Sequence, residues 1–162
     1  MTIEHSELPP ELRTTTESVA AVVHQAARAH AELRHINAAH LVRRVLPDAA
    51  LVVVDAHAWH TDTGGVALRE VRDSTGRSLW REGQAAPTSS AHRSRARDAV
   101  NRRWQGLVTE IQRELTAALD YVAPSECGWG QHEPSNRIER LYVLWLPTLP
   151  YVTEREGKGH VG

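Results

Sequence analysis

At 162 residues the chain has the length of one ordinary domain and can bury a core without disulfide or metal staples. A formal net charge of -1, with 41% hydrophobic and 24% charged residues, argues against bulk polyanion binding and fits a soluble globular protein. One cysteine, Cys127, excludes an internal disulfide, so a reducing cytoplasm is the expected compartment.

The N-terminus "MTIEHSELPPELR" lacks the basic and apolar regions of a secretion signal. The apolar runs "AALVVVDA" and "LYVLWL" fall far short of the roughly 18 to 20 residues a membrane span requires. Of the 19 basic residues only Lys158 is lysine, and phenylalanine is absent. Arginine and alanine codons of a GC-rich bacterial genome account for that bias, which weakens arginine richness as a sign of phosphate binding.

Residues 1–13 read as a flexible lead-in. "TTTE" from Thr14 to Glu17 has capping-box spacing, and Val19, Val22, Val23, Ala26, Ala27, His30 and Leu33 recur at helical spacing after it. Asn37 is positioned to cap a second short helix carrying Ala38, Leu41, Val42 and Val45, which Pro47 ends. The β-branched run predicts a strand from Ala50 to His60. "TDTGG" turns it into a hairpin partner, Val66 to Arg72, and "DSTG" leads to a third strand, Arg77 to Arg81. Val100, Trp104, Leu107, Val108, Ile111, Leu115, Ala118, Leu119 and Val122 form the strongest stripe, that of a long amphipathic helix. "RIERLYVLWLP" predicts a last strand, apolar enough to be covered on both faces and placed beside the first. The expected fold is therefore a two-layer α+β domain over 14–147: N-terminal helices, a three-stranded antiparallel meander, a long helix and a C-terminal strand. Residues 148–162 read as a flexible tail.

No nucleophile elbow, P-loop or dinucleotide fingerprint occurs, and no cofactor is implied. "DAHAWHTDTGG", from Asp55 to Gly65, is the densest polar cluster. It superficially resembles the H-x-H-x-D-H loop of metallo-β-lactamase-fold hydrolases. Aligning His57 and His60 with the second and third histidines puts Asp55 in the place of the first and Trp59 in the place of the aspartate. That activity is therefore rejected. On an extended strand Asp55, His57 and Trp59 share one face and His60 the other. Asp55 and His57 then supply two ligands where zinc takes three or four, unless Glu133 or His132 adds another. Cys127 and His132 share a loop, but Glu126 beside the thiol opposes its activation.

The segment "AHRSRARDAVNRRW" carries Arg93, Arg95, Arg97, Arg102 and Arg103 against Asp98, five minus one for a local charge of +4. Helix, three strands, then a helix opened by basic residues resembles the double-stranded-RNA-binding domain in topology, which implies duplex binding through those arginines. This chain is about twice that size and adds a strand. Of the tryptophans, Trp104 and Trp145 sit on apolar patterns and are expected in the core. Trp59 and Trp129 lie by turns and are expected as exposed interface anchors. The sequence thus favours a non-catalytic cytoplasmic protein-interaction or regulatory domain, binding a protein or itself, with no membrane role. The alternatives are a nucleic-acid binder using 93–103 and a metal-dependent hydrolase around Asp55 and His57.

Overall fold

The run Leu51–Val54 has too many β-branched side chains for a helix and becomes the central strand β1, Ala49–Asp55. In the computed structural model, which describes residues 9–62, 64–87, 94–132 and 140–148, β1 pairs on one side with β2 (Ala67–Asp73) and on the other with β5 (Leu141–Trp145). Strand β3 (Ser78–Arg81) and the two-residue β4 (Gly130–Gln131) complete a sheet ordered β3-β2-β1-β5-β4, antiparallel at every pairing. The α+β class and the meander are as read from the sequence, within a sheet of five strands.

Two helices cover one face of this sheet. From helix α1 (Pro10–Arg43) come Ala38, Ala39 and Val42; from helix α2 (Ser94–Ala117) come Trp104, Val108, Ile111 and Leu115. They close over Val52, Val54, Leu68, Val71, Trp80 and Leu144 in a single core. Polar side chains on α2 also complete the strand ladder: Gln112 accepts from the Leu68 N–H and Thr116 from the Val66 N–H, both at 2.9 Å. Glu114 receives Arg34 and Asn37 from α1, which fixes the two helices against each other. Arg43 donates to the carbonyls of Ala49, Leu146 and Pro147, tying the end of α1 to β1 and to the exit of β5.

Several expectations change. The two N-terminal helices are one: α1 runs unbroken through Asn37, whose side-chain amide donates to Glu114 of α2. The helix starts at Pro10, four residues before the expected domain edge at 14, since proline at the first helical position is pre-organised for it. Thr14 therefore caps nothing, and its hydroxyl donates back to the Pro10 carbonyl. Strand β1 ends at Asp55, five residues before His60. On the last strand Leu144 is buried beneath the helices, whereas Trp145, on the other face, is 62% exposed. Two helices side by side cover one face of a sheet, and no described element lies over the other. Residues 1–8 and 149–162, in the expected lead-in and tail, fall outside the described residues, as do Arg93 and Glu133.

Candidate functional site

The sheet face opposite the helices, over which no described element lies, gathers three arginines and their carboxylate partners. Register assembles it in rows. Trp145, Leu51, Arg72 and Ser78 are cross-strand partners in one row, and Val143, Val53, Glu70 and Arg81 in the next. Leu141, Asp55 and Ala67 make a third. An irregularity between Val53 and Val54 turns both Arg69 and Glu70 of β2 away from the helices, so three arginines stand on this face.

Each of those arginines holds a carboxylate. Arg72 and Arg81 donate to the two oxygens of Glu70 at 2.7 and 3.2 Å. Arg69 donates to Asp55 at 2.9 Å and also to Glu82. Burial by itself would raise the Glu70 carboxyl, but hydrogen bonds from Arg72, Ser78 and Arg81 outweigh it and hold the group at about 2. Glu70 is thus a permanent anion at neutral pH and a clamp for its neighbours, unsuited to moving protons. Three arginines against Asp55, Glu70 and Glu82 leave this cluster without net charge.

Beside it lies an apolar strip. Leu51 and Val53 are 7% and 3% exposed, and neither belongs to the core beneath the helices. Leu141 and Val143 are half-buried, and Trp145 stands out at the end of the row. On the edge next to Val143 the partner residue is Gly130, with no side chain to fill the space.

The opening cluster of the sequence resolves into a turn. Asp55 accepts the His57 N–H at 2.9 Å with one oxygen and Arg69 with the other. Beyond it Ala58 receives both the N–H and the hydroxyl of Thr61, and Gly64 follows so closely that a Cβ there would lie 2.0 Å from the Ala58 carbonyl oxygen. Because His57, Trp59 and His60 leave the strand, alternation of faces does not govern them. His57 is exposed, while Trp59 packs half-buried against the core edge. Among the described residues no three of His, Cys, Asp and Glu are grouped to hold a metal ion.

Two tryptophans exchange their expected places. Trp129, expected as an exposed anchor, is buried at 4%, and its indole N–H donates to His35 Nε2 at 2.9 Å. Trp145, expected in the core, is on the surface. Burial pushes the His35 imidazole down to about 4, and burial pushes the Cys127 thiol up to about 11. Both line one cavity of about 290 Å³, with Arg28 and Glu32. At neutral pH they form a neutral imidazole and a neutral thiol, the reverse of an activated pair. The Cys127 thiol donates to the Pro124 carbonyl at 3.4 Å.

The arginine segment opens α2 as expected, with Arg97, Arg102 and Arg103 exposed; the side chain of Arg95 lies outside the described residues. Arg103 and Arg44 border a cavity of about 420 Å³ walled by Val45, Trp104 and Leu107. No helix among the described residues is long and apolar enough to cross a membrane. No family model, curated protein or solved structure matches the chain.

Proposed function

We propose that this is a non-catalytic protein-interaction domain of the bacterial cytoplasm, and that it binds a foreign protein on the open sheet face around Trp145. The observation that carries this reading is the 62% exposure of Trp145 on a paired strand. A large aromatic ring on a rigid element contributes contact area with little ordering entropy, and Trp and Arg dominate the energetics of protein interfaces. The half-buried Leu141 and Val143 on the same strand make the ground beside it apolar, and the neutralised arginine cluster supplies a polar rim. The partner that fits offers an apolar pocket for the indole and carbonyl or carboxylate acceptors around it.

A photo-crosslinking residue at Val143, in the native cells, should capture one discrete protein, while the same residue at exposed Ser125 should not. The adduct should vanish in Trp145→Ala, whose folding stability should stay within about 0.5 kcal/mol of the parent. No adduct at 143, or one indifferent to Trp145, overturns the proposal.

A second reading has one specific observation in its favour. Arg97, Arg102 and Arg103 form no ion pair among the described residues, in contrast to the arginines of the sheet. Open guanidinium groups suit nucleic-acid phosphates. That reading expects duplex binding whose log–log salt slope falls by up to about 3 in the triple variant Arg97→Gln, Arg102→Gln, Arg103→Gln. No binding at about 50 mM salt removes it.

A further inference from the structure

Helix α1 spans 34 residues, about 51 Å, but only its second half packs on the domain. Every described residue from Pro9 to Ala26 is exposed, including Leu12 at 54%, Val19 at 58%, Val22 at 65% and Val23 at 62%. We infer that this projecting half of α1 is a self-association helix, seated against the same helix of a second copy of this chain.

The spacing is that of a coiled-coil seam. Leu12, Val19, Ala26 and Leu33 recur every seven residues, with Thr15, Val22 and Ala29 three places after the first three of them. All seven are exposed, down to Leu33 at 57%, well inside the part of the helix that is docked. The docked residues Ala31, His35, Ala38 and Val42 occupy the opposite side of the helix, so the domain body leaves the seam clear. A strip with this period fits another helix better than a sheet or a flat surface.

Local chemistry supports burial of this strip. Thr14, Thr15, Thr16 and Ser18 each donate their hydroxyl to the carbonyl four residues earlier, at 2.7 to 3.0 Å. Thr15 therefore enters the seam with its hydroxyl already satisfied and its methyl available for packing. The same segment is a poor helix former by itself. Thr14, Thr15, Thr16, Val19, Val22 and Val23 are all β-branched, and an isolated helix of this length is marginal even in good helix formers. A partner supplies the packing that the domain body does not.

Charge and area favour a second copy as that partner. The flanking positions Glu11, Thr16, Ser18, Val23, Gln25, His30 and Glu32 carry two acidic charges, one at each end of the seam, so two copies meet without a row of like charges. From Leu12 to Leu33 the seam is about 33 Å long, and half the circumference of a helix about 10 Å wide is about 16 Å. That is roughly 500 Å² per copy and roughly 1,000 Å² for the pair, the size at which specific association begins.

Sedimentation or light scattering of the full chain across a concentration series should report a dimer. Val19→Glu with Val22→Glu should make it monomeric, with the melting of the domain body unchanged because neither residue touches the core. His24→Glu, on the side away from the seam, should leave the dimer intact. A monomer at all concentrations overturns the inference, and so does a dimer that survives the double substitution.

Discussion

Replacing Trp104 by alanine is expected to reduce folding stability by about 3–5 kcal/mol, the largest loss of any single truncation considered for this chain. Trp104 is 3% exposed and meets Trp80 edge to face, ring centroids 5.2 Å apart with the planes at 69°. Trp80 belongs to β3 at the sheet edge and Trp104 to the first half of α2, so this pair packs the helix onto that edge of the sheet. Truncation would leave a large void between elements that the rest of the fold holds apart. A sharper test comes from Trp104→Phe. The indole nitrogens of Trp104 and Trp80 are buried without a hydrogen-bond partner among the described residues, and an unsatisfied buried N–H costs about 1–3 kcal/mol. Phenylalanine keeps a six-membered ring, gives up the fused five-membered one and removes one such group, so its loss should be about half that of alanine or less, roughly 1–2 kcal/mol. Denaturant midpoints of both variants check this. A loss below about 1 kcal/mol for the alanine variant would show that the site collapses around the void.

How far these features can be read in the sequence depends on whether a residue's surroundings are local. The stripe on α2 was legible because an amphipathic helix records its buried face in its own spacing, and Trp104, Val108, Ile111 and Leu115 are all buried as it implies. The strands were legible from β-branched runs, although β1 ends earlier than its alternating pattern because the Asp55 side chain takes the His57 N–H and starts a turn. Trp145 and Trp129 were misread for one shared reason. "LYVLW" is apolar on both faces, and local pattern does not tell which face the helices cover. Alternation does put Trp145 with Leu141 and Val143, opposite Leu144, so a count of only two sheet-packing helices would have left that set uncovered. Trp129 follows a glycine in a turn-rich loop and looks exposed until His35, 94 positions earlier, supplies an acceptor for its indole. The arginine cluster of the open face was hidden in the same way, since pairing of Arg81 with Glu70 depends on strand register. The heptad seam, by contrast, is entirely local. It was obscured because Ala27 and His30 extend the same apolar stripe toward the docked side.

Acidification from pH 6.5 to about 4 is expected to remove up to about 3 kcal/mol of stability, through His35. Its Nε2 accepts the Trp129 indole N–H, so the ring is neutral there and protonation would set two N–H groups against each other. Burial, the dominant cause, lowers the imidazole from its ordinary 6.5 to about 4. Above pH 6.5 neither the folded nor the unfolded chain protonates this group, and its contribution is fully present. Between 6.5 and about 4 the unfolded chain binds a proton that the folded chain refuses, and stability falls with decreasing pH. A depression of about 2.5 pH units at about 1.4 kcal/mol each gives the stated magnitude. Glu70 and Asp73 act in a lower window. Hydrogen bonds led by those from Thr75 hold Asp73 at about 2, and those from Arg72, Ser78 and Arg81 do the same for Glu70 against its burial. Their contributions are present above pH 4.5 and are lost only as the pH falls from there toward 2. Denaturant unfolding at pH 7.5, 6.5, 5.5 and 4.5 therefore isolates the histidine. His35→Gln should start less stable at pH 7.5 and lose less than the parent on the way to 4.5. An equal loss in both proteins would place the acid sensitivity elsewhere and remove His35 as its source.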